Sequence, residues 1–154
     1  MVSSCLIREI RPEDAMAAAT LSGELGYPAS PEAIRRRIKR LSGSADHAIY
    51  VACMSDEVVG WIDVSETRHL VSDPRADICG LVVSSKVRSR GIGRQLLARA
   101  EQWAVDRGLT SMVVRSRDAR EAAHRFYLRE GYTRTKLSVD FGKDLAAGRI
   151  AEPA

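Results

Sequence analysis

Apolar residues recur along this chain with two spacings, one typical of strands and one typical of helices. Five strands are predicted from short apolar or alternating runs at residues 5–10, 48–54, 58–64, 76–83 and 111–115. Two further runs, 132–135 and 137–141, predict a final pair of strands. Helices are predicted from stripes spaced by three and four residues over 12–26, 30–43, 91–107 and 118–131. The pattern predicts a mixed α/β sheet with helices on its faces, in the order β-α-α-β-β-β-α-β-α-β-β.

Turn and cap residues place the ends of these elements. Proline at positions 12 and 31 suits a first helical residue, and glycine at 26, 43 and 108 suits a helix end. Residues 55–57, SDE, predict a hairpin between the second and third strands. Residues 72–74, SDP, are rich in turn formers and predict a loop before the apolar run 76–83. Because that run is nearly all apolar, it is expected in the centre of the sheet.

Composition narrows the class of protein. With 154 residues, of which 45% are hydrophobic and 29% charged, the chain is expected to be one globular domain, 1–154, with its core over about 6–143. No apolar run approaches the roughly 20 residues that cross a bilayer, and the N-terminus lacks a signal-peptide pattern. Three cysteines stand singly in strand-like segments, as expected of reduced thiols. We therefore expect a cytoplasmic protein with no membrane partner.

The net charge of +4 comes from arginines that cluster in three places. Residues 35–37 belong to a predicted helix and are read as a solvated face. The clusters at 88–94 and 115–120 flank a glycine-containing turn and the start of the last predicted helix. A nucleic-acid surface is the alternative for so basic a chain, but only 5% of residues are aromatic and no binding motif is present. We expect no nucleic-acid partner.

Residues 83–94, VSSKVRSRGIGR, join an apolar strand to a helix through a turn that contains two glycines. The N–H groups and the dipole at a helix start attract anions, and glycine lets a diphosphate approach the backbone. Arg88, Arg90 and Arg94 supply counter-charge. The turn is neither a Walker A loop, since no Gly-Lys-Ser/Thr follows, nor a dinucleotide fingerprint, since a third glycine is missing. From this segment alone, anion binding and a plain surface turn both stay open.

Two motifs together resemble the GNAT family of N-acetyltransferases. Arg88-x-x-Gly91-x-Gly93 is similar to the acetyl-CoA motif of that family. Downstream, residues 124–132, HRFYLREGY, are similar to its second signature, a helix that carries Phe-Tyr and ends in Gly-Phe/Tyr. The resemblance extends over about residues 6–143. It implies a GNAT-like fold with a mostly antiparallel central sheet flanked by helices. It also implies acetyl-CoA as cosubstrate and an acetyltransferase that acts on a primary amine.

The resemblance assigns coenzyme contacts to a strand end and to the turn. The strand end is Leu81, Val82 and Val83, which would pair with the pantetheine arm and aim a main-chain N–H at the thioester carbonyl. The turn comprises Arg88, Ser89, Arg90, Gly91, Ile92, Gly93 and Arg94.

Two residues depart from the family pattern. Ser89 stands where glycine is commonest, which is tolerable if its side chain points outward. Arg117 stands near the place of an asparagine that bonds the coenzyme, and arginine has no acceptor to replace it. Our hypothesis is that Arg117 or Arg120 instead reaches a coenzyme phosphate.

Tyr127 and Asp77 are the candidate catalytic residues. A phenol can return a proton to the departing thiolate, and the resemblance implies that Tyr127 lies beside the coenzyme sulfur, although Tyr127 also completes an apolar stripe. Asp77 stands where histone-acetylating relatives carry a glutamate base, but an aspartate at a strand edge explains it equally well. His124 is read as a surface residue. Asp63 or Glu66 could instead hold a cationic amine or act through water.

The acceptor is the least determined part of the sequence-based interpretation. In relatives it is gripped by the first two helices and by loops across the sheet, which here makes Glu24, Tyr27 and Trp61 candidate lining residues. Aminoglycosides, polyamines, other small amines and peptide N-termini all stay open. The histidines show no metal-ligand spacing, so no metal is expected. A coenzyme-binding sensor without turnover is the alternative function, and the resemblance also admits a homodimer.

Overall fold

The structure, a computed structural model, describes residues 4–116 and 120–146. By its internal contacts the chain divides into two compact units, Met1–Arg115 and Ser116–Ala154. The first unit contains the whole sheet and three helices, and the second contains one helix. In the part of the chain that is described, no helix is both long and apolar enough to cross a bilayer.

Five strands form one sheet, in which spatial order follows chain order from β1 to β5. The strands are β1 Cys5–Glu9, β2 His47–Met54, β3 Glu57–His69, β4 Ser72–Val83 and β5 Met112–Val114. The first four pair antiparallel with their neighbours, and β4 pairs with β5 in parallel. This confirms the mixed, mostly antiparallel sheet. The predicted hairpin is also confirmed, because Ser55 and Asp56 both have positive φ, as a two-residue hairpin loop requires.

The helices are α1 Ala15–Leu25, α2 Pro31–Ser42, α3 Ile92–Asp106 and α4 Glu121–Arg129. Their limits follow from the predicted caps. A 3₁₀ turn at Pro12–Asp14 precedes α1, which stops at Gly26 with a φ of 101°. The Ser30 hydroxyl caps α2 by accepting the N–H of Ala33 at 3.1 Å.

Helices cover both faces of the sheet, and two neighbouring residues of β3 show which helix lies where. A Cβ at Gly60 would meet Leu96 of α3 at 3.1 Å. On the opposite face, Trp61 lies against Gly80 of β4, close to Leu25 of α1. We call these the α3 face and the α1 face. On the α3 face, Ile62, Leu96 and Leu97 are almost completely buried.

An ion pair ties the start of α1 to the edge strand β1. Arg8 donates two hydrogen bonds to the Asp14 carboxylate, at 2.8 and 2.9 Å, and the Arg11 N–H donates a third at 2.7 Å. Burial alone raises the pKa of Asp14, but these hydrogen bonds and the charge of Arg8 outweigh it, so the pKa is lowered. The carboxylate therefore stays ionised at neutral pH and anchors the first helix.

The loop predicted at residues 65–75 is wrong, because β3 and β4 continue there as a two-stranded ribbon. Both of its faces are polar, so the sequence shows no strand alternation. The apolar tip residues Leu70 and Val71 are fully exposed. At its base, Arg68 and Arg107 both form ion pairs with Asp46 and Glu66. These side-chain contacts stabilise what the sequence indicates only as a turn-rich segment.

The final pair of predicted strands is also wrong. The structure shows no regular secondary structure over residues 132–141. Their alternation is genuine, with apolar side chains at every second position, but Leu137, Val139 and Phe141 are 77%, 78% and 94% exposed. Alternation predicts a strand only where another layer covers the apolar side, and none of the described residues does so here.

Gly60→Ala should destabilise the protein, because the new Cβ would lie 2.9 Å from the Val82 carbonyl oxygen and 3.1 Å from Leu96. We expect the free energy of unfolding to fall by about 1–3 kcal/mol, the usual cost of overpacking. The measurement is urea denaturation followed by circular dichroism.

Gly23→Ala is the matched control, since Gly23 lies in α1 with nothing within 4 Å of the added atom. That variant should gain about 0.5–1 kcal/mol from the lower entropy of its unfolded chain. Equal stability of the two variants would contradict the packing described here.

Candidate functional site

Among the described residues, strand β4 has only one strand neighbour, β3, over the segment that was predicted to hold the pantetheine arm. Its pairing with β3 continues as far as Val83, whereas its pairing with β5 ends at Ile78. From Cys79 to Val83, therefore, β5 offers no partner to the alternate N–H and C=O groups that point away from β3. A strand edge of this kind can pair with an extended amide chain.

The turn after β4 leads into the start of α3. Ser89 and Gly91 both have left-handed backbone angles, with φ of 65° and 77°. The first helical hydrogen bond runs from Gln95 N to Gly91 O at 3.1 Å, so the N–H groups of Ile92 and Gly93 have no partner within the helix. Arg88, Ser89 and Arg90 are exposed around them. The geometry combines helix N–H groups with positive side chains, as a phosphate site requires.

Ser89 has a positive φ, a conformation that favours glycine, so the departure from glycine at this position has a cost. A serine in this conformation carries strain that glycine would not, of order 1 kcal/mol. The Ser89 side chain is exposed, which is the condition under which serine was expected to be tolerated at this position.

A row of polar side chains crosses the α1 face beyond Trp61. His47 of β2 pairs with Asp63 of β3. Next to them, the Ser65 hydroxyl lies 3.4 Å from the Cys79 sulfur.

The row ends at Asp77, the residue predicted to be the catalytic base. The Asp77 carboxylate accepts a hydrogen bond from Thr67 and another from Arg75 Nε at 3.3 Å. The predicted base is thus a half-buried carboxylate that already has two partners.

Cys79 stands at a bulge in β4. Asp63 pairs with Gly80 and Val64 with Ile78, which leaves Cys79 as the extra residue between them. Burial of the thiol and the nearby Asp63 and Asp77 carboxylates raise the pKa of Cys79, although Ser65 and Arg115 oppose them. A thiol with a raised pKa is protonated at neutral pH, so Cys79 is poorly suited to act as a nucleophile.

Trp61 lies beside this bulge. Two atoms of its ring lie 2.8 Å from the position of a Cβ at residue 80, so only glycine fits there. The indole N–H is buried and has no hydrogen-bond partner among the described residues. An unsatisfied buried donor costs about 1–3 kcal/mol, which a ligand acceptor could recover.

The two other predicted acceptor residues lie at the end of α1. The Glu24 carboxylate accepts the Ser85 N–H at 3.0 Å, which ties the helix to the turn that follows β4. Tyr27 is half exposed in the loop that follows. Their contact with an acceptor stays a prediction.

Tyr127 belongs to the second unit, on α4. Its ring packs edge-on against Phe126 and Tyr132, with centroid distances of 5.2 and 5.7 Å. Burial raises the pKa of Tyr127 to about 12, against the opposing charge of Arg120. The side chain is therefore a neutral phenol at physiological pH. Arg117 lies outside the described residues.

Sequence reasoning missed His47 and Cys79. No short motif joins them, since they are separated by 32 positions and belong to different strands. The signal that could have found them is the register of the two hairpins, which places Ser65 opposite both His47 and Asp77.

Comparison with known proteins places this geometry in a family. Residues 14–132 match the model of the acetyltransferase (GNAT) family. The chain belongs to the GNAT family of acetyltransferases. In this GNAT chain, contact of acetyl-CoA with the end of β4 and with the turn before α3 stays a prediction.

Two relatives and one solved structure illustrate the similarity. The chain is 30% identical to the aminoglycoside N(6')-acetyltransferase type 1 of Stenotrophomonas maltophilia, over 92% of this chain and 94% of the relative. It is 34% identical to the aminoalkylphosphonate N-acetyltransferase of Salmonella typhimurium, over 83% and 84%. An aminoglycoside N-acetyltransferase solved with CoA shares the fold, with a TM-score of 0.83 at 18% identity over 93% and 97% of the two chains.

Arg88→Gln, in the turn before α3, should weaken acetyl-CoA binding about tenfold at low salt. The reason is the loss of one charge-assisted hydrogen bond to a phosphate, worth about 1.5 kcal/mol. Isothermal titration calorimetry at several salt concentrations should also give a smaller salt dependence than in the wild type.

Arg36→Gln on the exposed side of α2 removes the same charge elsewhere and should leave the affinity nearly unchanged. If both variants bind acetyl-CoA as the wild type does, Arg88 does not contact a phosphate.

Proposed function

We propose that this GNAT enzyme transfers the acetyl group of acetyl-CoA directly to the primary amine of a small, water-soluble molecule. The observation that carries the proposal is the β4 edge released after Ile78, which runs within one unit into the arginine-bearing turn before α3. The edge suits an amide-containing arm and the turn suits a diphosphate, so together they fit the two chemical parts of the coenzyme.

The reaction requires little covalent help from the protein. The amine lone pair attacks the thioester carbonyl carbon, a C–N bond forms, and the C–S bond breaks. An outward-facing N–H of residues 81–83 would stabilise the oxyanion of the tetrahedral intermediate. One proton leaves the amine, and the thiolate gains one. The protein therefore has to position two reactants and offer a route for two protons.

Two lines of support favour a small acceptor. Both curated relatives are named for small amino compounds, an aminoglycoside and an aminoalkylphosphonate. In this chain the β4 edge has Trp61 beside it, with an unsatisfied indole N–H, and the Glu24 and Tyr27 candidates lie at the nearby end of α1. An acceptor with a hydroxyl or phosphonate oxygen could take the indole hydrogen bond.

Asp77 is the proposed base. The residues that bond to its carboxylate determine how a proton could reach it. A carboxylate held by Arg75 and Thr67 is oriented, but part of its hydrogen-bonding capacity is already used. The amine proton could reach it through a water molecule. An acceptor ammonium that displaced Arg75 would bring its own proton directly to the carboxylate.

Tyr127 is the proposed acid. With a pKa of about 12, full proton transfer to a thiolate whose thiol has a pKa near 8.5 is uphill by roughly 5 kcal/mol. The phenol therefore acts mainly by donating a hydrogen bond to the leaving sulfur as charge develops. The same pKa keeps this donor protonated throughout the physiological range.

The test of the acceptor class is a thiol-release assay with acetyl-CoA and a panel of amines. The panel contains aminoglycosides, aminoalkylphosphonates, polyamines and peptides with a free N-terminus. We expect release with at least one small amine and none with the peptides. Binding of acetyl-CoA with release only in the presence of peptides would contradict a small acceptor.

Tyr127→Phe should lower kcat about 100-fold, the usual contribution of general acid catalysis, with little change in the KM for acetyl-CoA. Because the phenol is neutral below pH about 12, wild-type kcat should not fall as the pH rises from 7 to about 9.5. Tyr132→Phe is the control, since it also keeps its ring contact with Tyr127. Equal kcat values for the two variants would remove Tyr127 from the mechanism.

Asp77→Asn, measured in the same assay, separates a base from a structural partner of Arg75. A base predicts a large fall in kcat with nearly unchanged melting temperature. A structural carboxylate predicts the reverse, a lower melting temperature with nearly wild-type kcat. Asp73→Asn, at the exposed start of β4, controls for the loss of one charge.

A further inference from the structure

Three side chains of different chemistry meet on the α1 face of the sheet. His47 begins β2, Asp63 lies in β3 and Cys79 occupies the bulge of β4. One ligand atom from each, an imidazole nitrogen, a carboxylate oxygen and a sulfur, lies within 4.8 Å of the other two. The sequence alone gave no reason to expect this group, because its members come from three strands.

We propose that His47, Asp63 and Cys79 form a binding site for one zinc ion. The proposal does not depend on the acceptor or on any step of acetyl transfer.

The mixture of nitrogen, oxygen and sulfur donors selects among metals. Magnesium and calcium are bound by oxygen ligands alone, so an imidazole and a thiolate speak against both. Zinc accepts all three donor types, and sites with three protein ligands keep a fourth position for water or another ligand. The charges also balance, because the Cys79 thiol loses its proton to solvent when the ion binds, and the resulting thiolate and the Asp63 carboxylate together neutralise a divalent ion.

The dimensions suit tetrahedral coordination after a small adjustment. Bonds of about 2.0 Å to nitrogen and oxygen and about 2.3 Å to sulfur place tetrahedral ligand atoms about 3.3–3.6 Å apart. Because the ligand atoms lie within 4.8 Å of one another, they need to close by at most about 1.5 Å, and the His47–Asp63 pair must open to admit the ion. Side-chain rotations could supply changes of this size, since His47 and Asp63 lie at paired strand positions and Cys79 lies between two paired residues of β4.

The neighbouring groups are compatible with an ion at this place. Ser65 contacts the Cys79 sulfur at 3.4 Å, so its hydroxyl can donate a hydrogen bond to a thiolate and orient it. Two cations act on this group: Arg75 is paired with Asp77, and the charge of Arg115 favours the thiolate form of Cys79. Cys79 is exposed, which provides a path for the ion from solvent.

The experiment titrates the full-length protein, freed of metal with a chelator, first with Zn²⁺ and then with Co²⁺. Isothermal titration calorimetry should give one Zn²⁺ per chain. Co²⁺ should produce the near-ultraviolet absorption band of a cobalt–thiolate bond. Cys79→Ser should abolish the band and weaken Zn²⁺ binding by at least about a hundredfold, while His47→Gln and Asp63→Asn should weaken it by about tenfold or more.

Matched controls are available for each ligand, namely Cys5→Ser in β1, His69→Gln at the end of β3 and Asp56→Asn in the turn between β2 and β3. All three should bind Zn²⁺ as the wild type does. No cobalt–thiolate band in the wild type would overturn the proposal, and so would a band that persists in Cys79→Ser.

A second measurement needs no variant and so does not depend on correct folding of a mutant. Zn²⁺ should slow the alkylation of Cys79, followed by peptide mass spectrometry, at least about tenfold while leaving Cys5 unaffected. Equal alkylation of Cys79 with and without Zn²⁺ would count against the site.

Discussion

The main constraint on this molecule is that β4 has two neighbours of unequal length. Its hydrogen bonds to β3 continue to Val83, whereas β5 accompanies it only from Ala76 to Ile78. Backbone polar groups need partners, so a strand that loses one neighbour midway leaves an edge whose N–H and C=O groups must bond to something else, such as a side chain, water or a ligand. The proposed coenzyme site and the bulge at Cys79 both lie on this segment. The bulge belongs to the same transition, since it adds a residue at the point where β4 and β5 separate.

Most of the fold could be predicted from the sequence, because local signals and packing agree. The strands of the hairpin around Ser55 and Asp56, the start of α2 at Pro31 and the end of α1 at Gly26 all follow from turn and cap chemistry. Two segments could not be predicted, for opposite reasons. The β3–β4 ribbon is polar on both sides and stabilised by ion pairs of Arg68 and Arg107, whereas residues 137–141 alternate without a covering layer.

The candidate site also has one part that can be predicted from the sequence and one part that cannot. The turn from Arg88 to Arg94 is contiguous, so its glycines and arginines are visible to any reader of the sequence. The polar row is different, because Asp63, Asp77 and Cys79 become neighbours only through strand register, and a shift of one residue would turn each side chain to the other face. The surroundings of a residue are equally invisible in sequence. The two partners of Asp77 and the raised pKa of Tyr127 arise from contacts and burial that no motif encodes.

The order of the strands also bears on how the sheet assembles and opens. Strands β2, β3 and β4 are joined by two hairpins, so their pairing closes short loops, whereas β1 and β5 are each separated from their neighbour by at least one helix. Among the described strands, β5 has the fewest residue pairs, three, and lies at one edge of the sheet, so we expect it to be the least protected against local opening. Amide hydrogens of Met112–Val114 should therefore exchange with solvent sooner than those of β3. A coenzyme bound along the adjacent edge of β4 would slow that exchange, so cofactor occupancy and the cohesion of the sheet are expected to be thermodynamically linked.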